Sequence, residues 1–334
     1  MHEKIMKNLL AIVITGALLL GLNACGGGDD GNGGSSPVGT APTTPIALNS
    51  NNAEQVSGLA FESADGLITT GGLLPLAAQT HKAKKDKASL HKINELVMGK
   101  LNYHEAGGKV VTGVTQTQSC SGGGDVTITG DENSGTASMS FNQCAEGDLV
   151  INGSISLSGV TQTGTAPNET VSMTISYNNL SVTQGGETGK INGAYTATIS
   201  TSDTGTESTL SGTLLSVTEG GQIHDLSNFR FTETRVNATL LATTTADYTL
   251  SSTLINGSVN VNVTTQTPFE TDFSASYPHS GMLLIQGADS SIRVTVLGDE
   301  NSLPLDQQIQ LEIDANGDGA YETTVTTSWE ALDD

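Results

Sequence analysis

Basic residues are scarce in this chain and aromatic ones scarcer still. Thirteen Lys and Arg stand against 35 Asp and Glu, and aromatics make up 4% of the 334 residues, with Trp329 the single tryptophan. Phosphate binding needs clustered Lys and Arg, so nucleic acid is not an expected partner and anionic lipid headgroups are poor partners for the acidic body of the chain. The deficit grows along the chain: beyond Val110 only Lys190, Arg230, Arg235 and Arg293 oppose 26 acidic residues. A field of that sign suits solubility or cations. So few aromatics imply a thin, aliphatic core and no platforms for stacking sugars. Catalytic signatures are missing too. His81, His91, His104, His224 and His279 form no HExxH and no pair at ligand spacing, and there is no GxSxG elbow, P-loop or dinucleotide fingerprint. His224-Asp225 reads as a loop dipeptide. Carboxylates are plentiful enough for a glycosidase pair, but no spacing singles one out.

Cysteine is rare as well, and the three present carry much of the information. Lys4 and Lys7 precede an apolar stretch from Leu9 to Leu22, which Asn23-Ala24-Cys25 closes. The stretch has the length of a secretory h-region and is short for a bilayer span. Leu22-Asn23-Ala24-Cys25 resembles the lipobox of bacterial lipoproteins, with Asn23 in place of the commoner Ser or Ala. The resemblance implies that residues 1–24 are a signal peptide and that Cys25 is lipidated as the first mature residue. With diacylglyceryl and N-acyl chains the attachment would be stable, since two chains hold where one does not. Gly26 after the cysteine, in place of an Asp that favours the inner membrane, implies the outer membrane of a Gram-negative cell. Residues 25–52 are dominated by Gly, Ser, Asn, Thr and Pro, the composition of a flexible tether.

Cys120 and Cys144 remain, an even pair in an exported chain, and that argues for a disulfide. Between them Asp125–Gly130 and Thr136–Phe141 alternate around a turn at 131–135, so the bridge staples the two ends of a hairpin. Neither cysteine has a CxxC partner or a neighbouring histidine, and the pair reads as structural.

Only residues 53–107 have helical character. Leu90, Ile93, Leu96, Val97 and Leu101 recur at three- and four-residue spacing, which predicts an amphipathic helix over 90–105. The basic run Lys82–Lys87 just upstream reads as a solvated helix start or loop. From 108 to 334 the texture is period two: Ile155/Leu157, Met173/Ile175/Tyr177, Tyr195/Ala197/Ile199 and Val259/Val261/Val263 each place apolar side chains on one face, with Thr, Ser and Asn between. About 14 strands joined by short Gly-rich turns predict an antiparallel sheet. Ile151-Asn152-Gly153, Ile191-Asn192-Gly193 and Ile255-Asn256-Gly257 interrupt strand-like runs, and glycine there marks a bulge or bend. The expected fold is therefore mainly β: a curved antiparallel sheet (barrel, half-barrel or sandwich) with a short N-terminal helical segment. The 90–105 helix is expected to plug the core, and Trp329 to close it. Outward faces this rich in Thr and Ser lack the apolar band of a transmembrane barrel.

Asp314-Ala315-Asn316-Gly317-Asp318-Gly319 follows the first half of a calcium loop. Oxygen ligands fall at positions 1, 3 and 5, a glycine at 6, the Ala320 carbonyl at 7 and Glu322 at 9. Val325 takes the place of the bidentate glutamate at 12, and the flanks alternate like strands, so an EF-hand is excluded. Two readings stay open: a calcium loop on a hairpin, or a plain Asn-Gly/Asp-Gly turn.

Ser119–Gly124, Phe141–Cys144, Ser276–Gly281, Asp314–Gly319 and Trp329–Leu332 together resemble a group of uncharacterised proteobacterial outer-membrane lipoproteins. These share the order of lipobox, Gly-rich tether, helical part, cysteine-bracketed hairpin, β-rich body and DxNxDG turn before a terminal Trp. The resemblance implies an envelope protein held to the membrane through Cys25 and assigns no activity. The leading expectation is a non-enzymatic structural, adhesion or protein-interaction module whose partner is an envelope protein, glycan or lipid. The alternatives are a carrier of an apolar or lipid ligand in a curved β cup, and a hydrolase of envelope polysaccharide.

Overall fold

The computed structural model describes residues 41–70, 114–131, 135–219, 221–253, 259–272, 275, 277–298 and 308–332. The lipobox with Cys25, the 90–105 stripe and the Ile255-Asn256-Gly257 motif lie outside the described residues. Helix α1 is Ala53–Thr70 and helix α2 is Trp329–Leu332. The strands are β1 (Val114–Ser119), β2 (Asp125–Asp131), β3 (Thr136–Glu146), β4 (Leu149–Thr165), β5 (Asn168–Gln184), β6 (Glu187–Thr201) and β7 (Gly205–Glu219). They continue with β8 (Gln222–Val236), β9 (Leu241–Ser252), β10 (Val259–Asp272), β11 (Ser280–Gly287), β12 (Ser290–Val296), β13 (Gln308–Asp314) and β14 (Thr323–Ser328).

All 14 strands form one sheet in sequence order, each antiparallel to the next. The sheet does not close; β1 and β14 are its edges. Connections this short permit only hairpins, so chain order becomes spatial order. The expected mainly-β class holds, with an open meander in place of a closed barrel or sandwich.

Alternation sets the two faces. Ile155, Leu157, Met173, Ile175, Tyr177, Tyr195, Leu250 and Val261 are buried on one side. The other side is hydroxylated. Thr161, Ser172, Thr198, Thr209, Thr232 and Thr245 form one continuous row across six adjacent strands. Within it Ser172 bonds Thr198 at 3.1 Å and Thr209 bonds Thr232 at 3.3 Å. β-branched Thr favours the pleat, and its hydroxyl finds a partner across the strand.

Bulges break the register at defined places. β3 shifts against β4 between Phe141 and Cys144, β4 against β5 between Asn152 and Ser154, and β5 against β6 between Tyr177 and Leu180. Gln143 and Asn179 take positive φ at the bulges, and an asparagine on the following strand caps each. Asn152 Oδ1 accepts from Gln143 N–H at 2.8 Å, and Asn192 Oδ1 accepts from Asn179 N–H at 2.7 Å. The first two Ile-Asn-Gly motifs thus recur because each Asn caps a bulge on the preceding strand while the Gly lets the backbone of the following strand approach.

The N-terminal arm packs earlier along the chain than composition suggests. Ile46 N–H donates to the Asn260 carbonyl at 3.2 Å, Ala288 N–H to the Ile46 carbonyl at 2.8 Å, and Leu48 N–H to Ser290 Oγ at 2.8 Å. Leu48 is buried and so is Asn52, so the stretch from Ile46 to Asn52 belongs to the body, not to a tether ending at 52. Two apolar residues inside a polar run made the difference.

Helix α1 lies on the apolar face with Ala53, Val56, Leu59 and Ala60 buried, a three- and four-residue stripe. It contacts β8, β9, β12 and β13. Phe61 meets Phe269 edge-on at 5.3 Å and Trp329 at 4.6 Å, and Trp329 stacks on Tyr277 at 5.4 Å. Trp329 therefore closes the core, as its place in the sequence implied. Among the described residues α1 is the helix that fills this region.

The expected hairpin forms with Asp125 opposite Asn142 and Asp131 opposite Thr136. Cys120 and Cys144 are disulfide-bonded, their Cα atoms 5.4 Å apart. A loop of this size is worth about 3 kcal/mol in the chain-entropy account.

Candidate functional site

The loop joining β13 to β14 gathers the densest set of oxygen ligands. Asp314 ends β13 opposite Ser291 and is buried; Thr323 opens β14 opposite Ile313. Asp314 Oδ1 accepts from Asn316 N–H at 3.3 Å and Gly317 N–H at 2.7 Å, and Oδ2 from Gly319 N–H at 2.9 Å. Asn316 Oδ1 accepts from Asp318 N–H at 2.9 Å, and Asp318 Oδ1 from Ala320 N–H at 2.8 Å. Glu322 closes the ring: Ala315 N–H donates to Oε2 at 3.2 Å and Asn316 Nδ2 to Oε1 at 2.6 Å. Gly319, at φ +87°, lets the chain reverse under the Asp314 carboxylate, a turn that an L side chain resists.

Carboxylate oxygens of Asp314, Asp318 and Glu322 lie within 4.8 Å of one another. The structure so brings together three of the five residues singled out in the sequence, with Asn316 bridging two of them. Ala320 sits in the same loop through its N–H. Three carboxylates this close repel one another unless a cation or hydrogen bonds offset the charge. The nearby guanidinium of Arg293 is committed elsewhere, to Glu312 at 2.7 Å and over the Tyr321 ring at 4.4 Å.

Burial pushes the Asp314 carboxyl upward, but donors from Gly319, Gly317, Asn316 and Asp318 outweigh it and hold the pKa below the usual carboxylate value. A carboxyl with a depressed folded pKa adds stability above its unfolded pKa and loses it as pH falls through the folded one. The expected result is that Asp314→Asn flattens the acid limb of a stability–pH profile below about pH 4, read by thermal unfolding.

The second polar cluster lies where sequence reading placed a loop. His224 is in strand β8, opposite Ser252 on β9, and Ser252 Oγ meets His224 Nδ1 at 2.9 Å. Burial holds the imidazole below its usual pKa despite Asp225 next to it. Ser252 is entirely buried, so no substrate reaches its hydroxyl in this arrangement. Cross-strand pairing of positions 28 apart left no local signal for this contact.

The third cluster is internal. Tyr177 and Tyr195 lie on the apolar face with ring centroids 6.3 Å apart, and beyond each other their hydroxyls have no hydrogen-bond partner. Burial raises both phenols, Tyr195 to about 12. Tyr248, by contrast, donates its hydroxyl to the Ala60 carbonyl. Near the disulfide, Glu146 accepts from Ser121 N–H at 3.0 Å and from its hydroxyl, so that carboxylate serves the turn.

Among the described residues no helix is long and apolar enough to cross a membrane. No protein-family model matches the chain, and neither a curated protein nor a solved structure matches it.

Proposed function

We propose that this chain is a lipid-anchored, non-enzymatic protein of the Gram-negative outer membrane that acts through its surface as an interaction or adhesion module. The single observation that favours this reading is where the apolar surface goes. The inward side chains are buried almost without exception, and among the described residues only Leu214, Val236, Leu240 and Leu297 are exposed large apolar side chains. A carrier presents an open apolar concavity; here the accessible face is a field of Ser and Thr hydroxyls. Cys25 supplies the anchor by its lipobox resemblance, and the partner is an envelope protein or glycan.

The reading is tested in the native cell. Acyl labelling is expected on the parent chain and absent from Cys25→Ser, and a deletion strain is expected to lose attachment, envelope integrity or a defined co-purifying partner. A soluble, unacylated chain with its amino terminus elsewhere overturns the anchor, and a deletion strain unchanged in all three assays overturns the module.

Calcium is assigned to the Asp314–Glu322 loop, with Asp314, Asn316, Asp318, the Ala320 carbonyl and Glu322 as oxygen ligands. Its role is structural, neutralising the carboxylates that hold the β13–β14 connection. At 100-fold excess over its dissociation constant, calcium is expected to add about 2.7 kcal/mol to stability. Asp318→Asn should reduce that gain and magnesium should not replace it. An unfolding midpoint unmoved by millimolar calcium removes the assignment.

One observation favours the carrier as a second reading. Buried hydroxyls are normally fully paired, and Tyr177 and Tyr195 have only each other, which leaves one hydroxyl hydrogen without an acceptor. An apolar ligand with a carbonyl or hydroxyl head would satisfy it. Native mass spectrometry of the purified chain decides: a bound small molecule lost in Tyr195→Phe supports carriage, and a bare mass excludes it.

A further inference from the structure

Among the described residues five that are not glycine hold positive φ: Gln143, Asn179, Asn228, Leu240 and Asp289. Four are polar, and Asn and Asp in particular tolerate the left-handed region through local hydrogen bonds. Leu240, at φ +55°, has no such means. Nor does burial offset its strain, because it is 59% exposed, more than any other large apolar residue described. A strained backbone carrying a solvent-exposed leucine is doubly unfavourable for the isolated chain, and strain of this sort persists where function requires it.

Its surroundings are rigid. Leu240 N–H donates to the Val236 carbonyl at 3.0 Å, closing the turn between β8 and β9. Asn237 N–H donates to the Thr204 carbonyl at 3.0 Å, tying this turn to the adjoining β6–β7 turn. Val236, 36% exposed, flanks Leu240 on the same turn. Charge near this end of the sheet is negative: Asp203 and Glu207 are exposed, and Glu270 and Asp272 are 45% and 60% exposed at the side chain. Arg235 is paired with Glu233. The arm at Pro42–Ile46 joins the opposite end of the sheet, at Asn260 and Ala288. The 15 residues of β8 separate the two ends by roughly 50 Å.

We propose that the β8–β9 turn is a preformed docking knob that inserts Leu240 and Val236 into an apolar pocket, rimmed by Lys and Arg, on a protein partner. A rigid apolar anchor loses little entropy on binding, and the acidic surroundings select a basic rim. An anionic bilayer fits less well, since the same charges repel it and the chain's arm leaves from the far end. The proposal deepens the interaction-module reading and rests on it.

The test places a photo-crosslinking amino acid at Thr239 of the full chain in its native cells, with and without Leu240→Asn. The expected result is one protein adduct whose yield falls about tenfold in Leu240→Asn and declines with added salt. The cross-linked peptide should combine apolar residues with Lys or Arg. Leu240→Asn should unfold at the parent's temperature or above it, because Asn accepts the left-handed conformation. A lipid adduct, no adduct, an adduct indifferent to Leu240, or a destabilised Leu240→Asn each overturns the proposal. An intact adduct from a parent chain that is soluble and unacylated sinks the anchor and leaves the knob standing.

Discussion

Replacing Trp329 by alanine is expected to lower the stability of the body by about 3–5 kcal/mol, measured by urea unfolding followed in the far ultraviolet. The indole is 3% exposed and touches three elements at once: Phe61 on α1 edge-on at 4.6 Å, Tyr277 in the β10–β11 connection stacked at 5.4 Å, and the sheet below. Removing it leaves a cavity that the flanking rings cannot fill, because Phe61 is held against Phe269 at 5.3 Å. The indole N–H has no hydrogen-bond partner. Trp329→Phe therefore forfeits packing volume and no hydrogen bond, and should cost clearly less than the alanine variant. Thr324→Ala, on an exposed position of β14, should stay within about 0.5 kcal/mol of the parent. Equal losses in the Trp329 and Thr324 variants would show that α2 does not close the core.

This closure was legible in the sequence for a simple reason. Trp329 continues the alternation of Val325 and Thr327, and a lone tryptophan in an aliphatic chain has few places to go. The strands read well for the same reason: Met173/Ile175/Tyr177 and Tyr195/Ala197 keep a strict period of two, which registers on one chain without knowledge of its neighbours. The disulfide followed from cysteine count. The site was half visible, because the DxNxDG spacing is local and its carboxylates come together through turn geometry within nine residues.

What escaped was either weak or non-local. Helix α1 buries Ala53, Val56, Leu59 and Ala60, and two alanines make its stripe faint beside the leucines of 90–101. The arm at Ile46 and Leu48 is recognisable only by what it touches, the β11–β12 turn some 240 positions away. His224 with Ser252 and Tyr177 with Tyr195 are cross-strand pairs, and register cannot be read from one strand. The strain at Leu240 has no signature at all in residue type.

Gly153→Ala is expected to destabilise the sheet by about 3 kcal/mol or more, the combined effect of backbone strain and overpacking. Gly153 has φ +96°, and a Cβ there would stand 2.2 Å from the Asn179 carbonyl oxygen and 2.7 Å from Leu180 Cα. Both obstacles are backbone, so no side chain can swing away. Nor can the backbone retreat cheaply. Asn179 is itself held at positive φ by its N–H bond to Asn192 Oδ1, and Leu180 beyond it is 1% exposed. A shift at Gly153 therefore propagates through β5 into β6, where Gly193 repeats the arrangement with a Cβ position 2.4 Å from the Leu214 carbonyl oxygen. The two glycines form one crease across β4, β5 and β6, so the Gly153→Ala/Gly193→Ala pair should cost less than the sum of its parts. Gly130 provides the contrast: its Cβ position is open and its φ is not left-handed, so Gly130→Ala should be neutral or stabilising by about 0.5–1 kcal/mol. Chemical denaturation of the four variants reads these differences directly. If Gly153→Ala behaves like Gly130→Ala, the crease is pliable, and the bulges follow the curvature of the sheet without setting it.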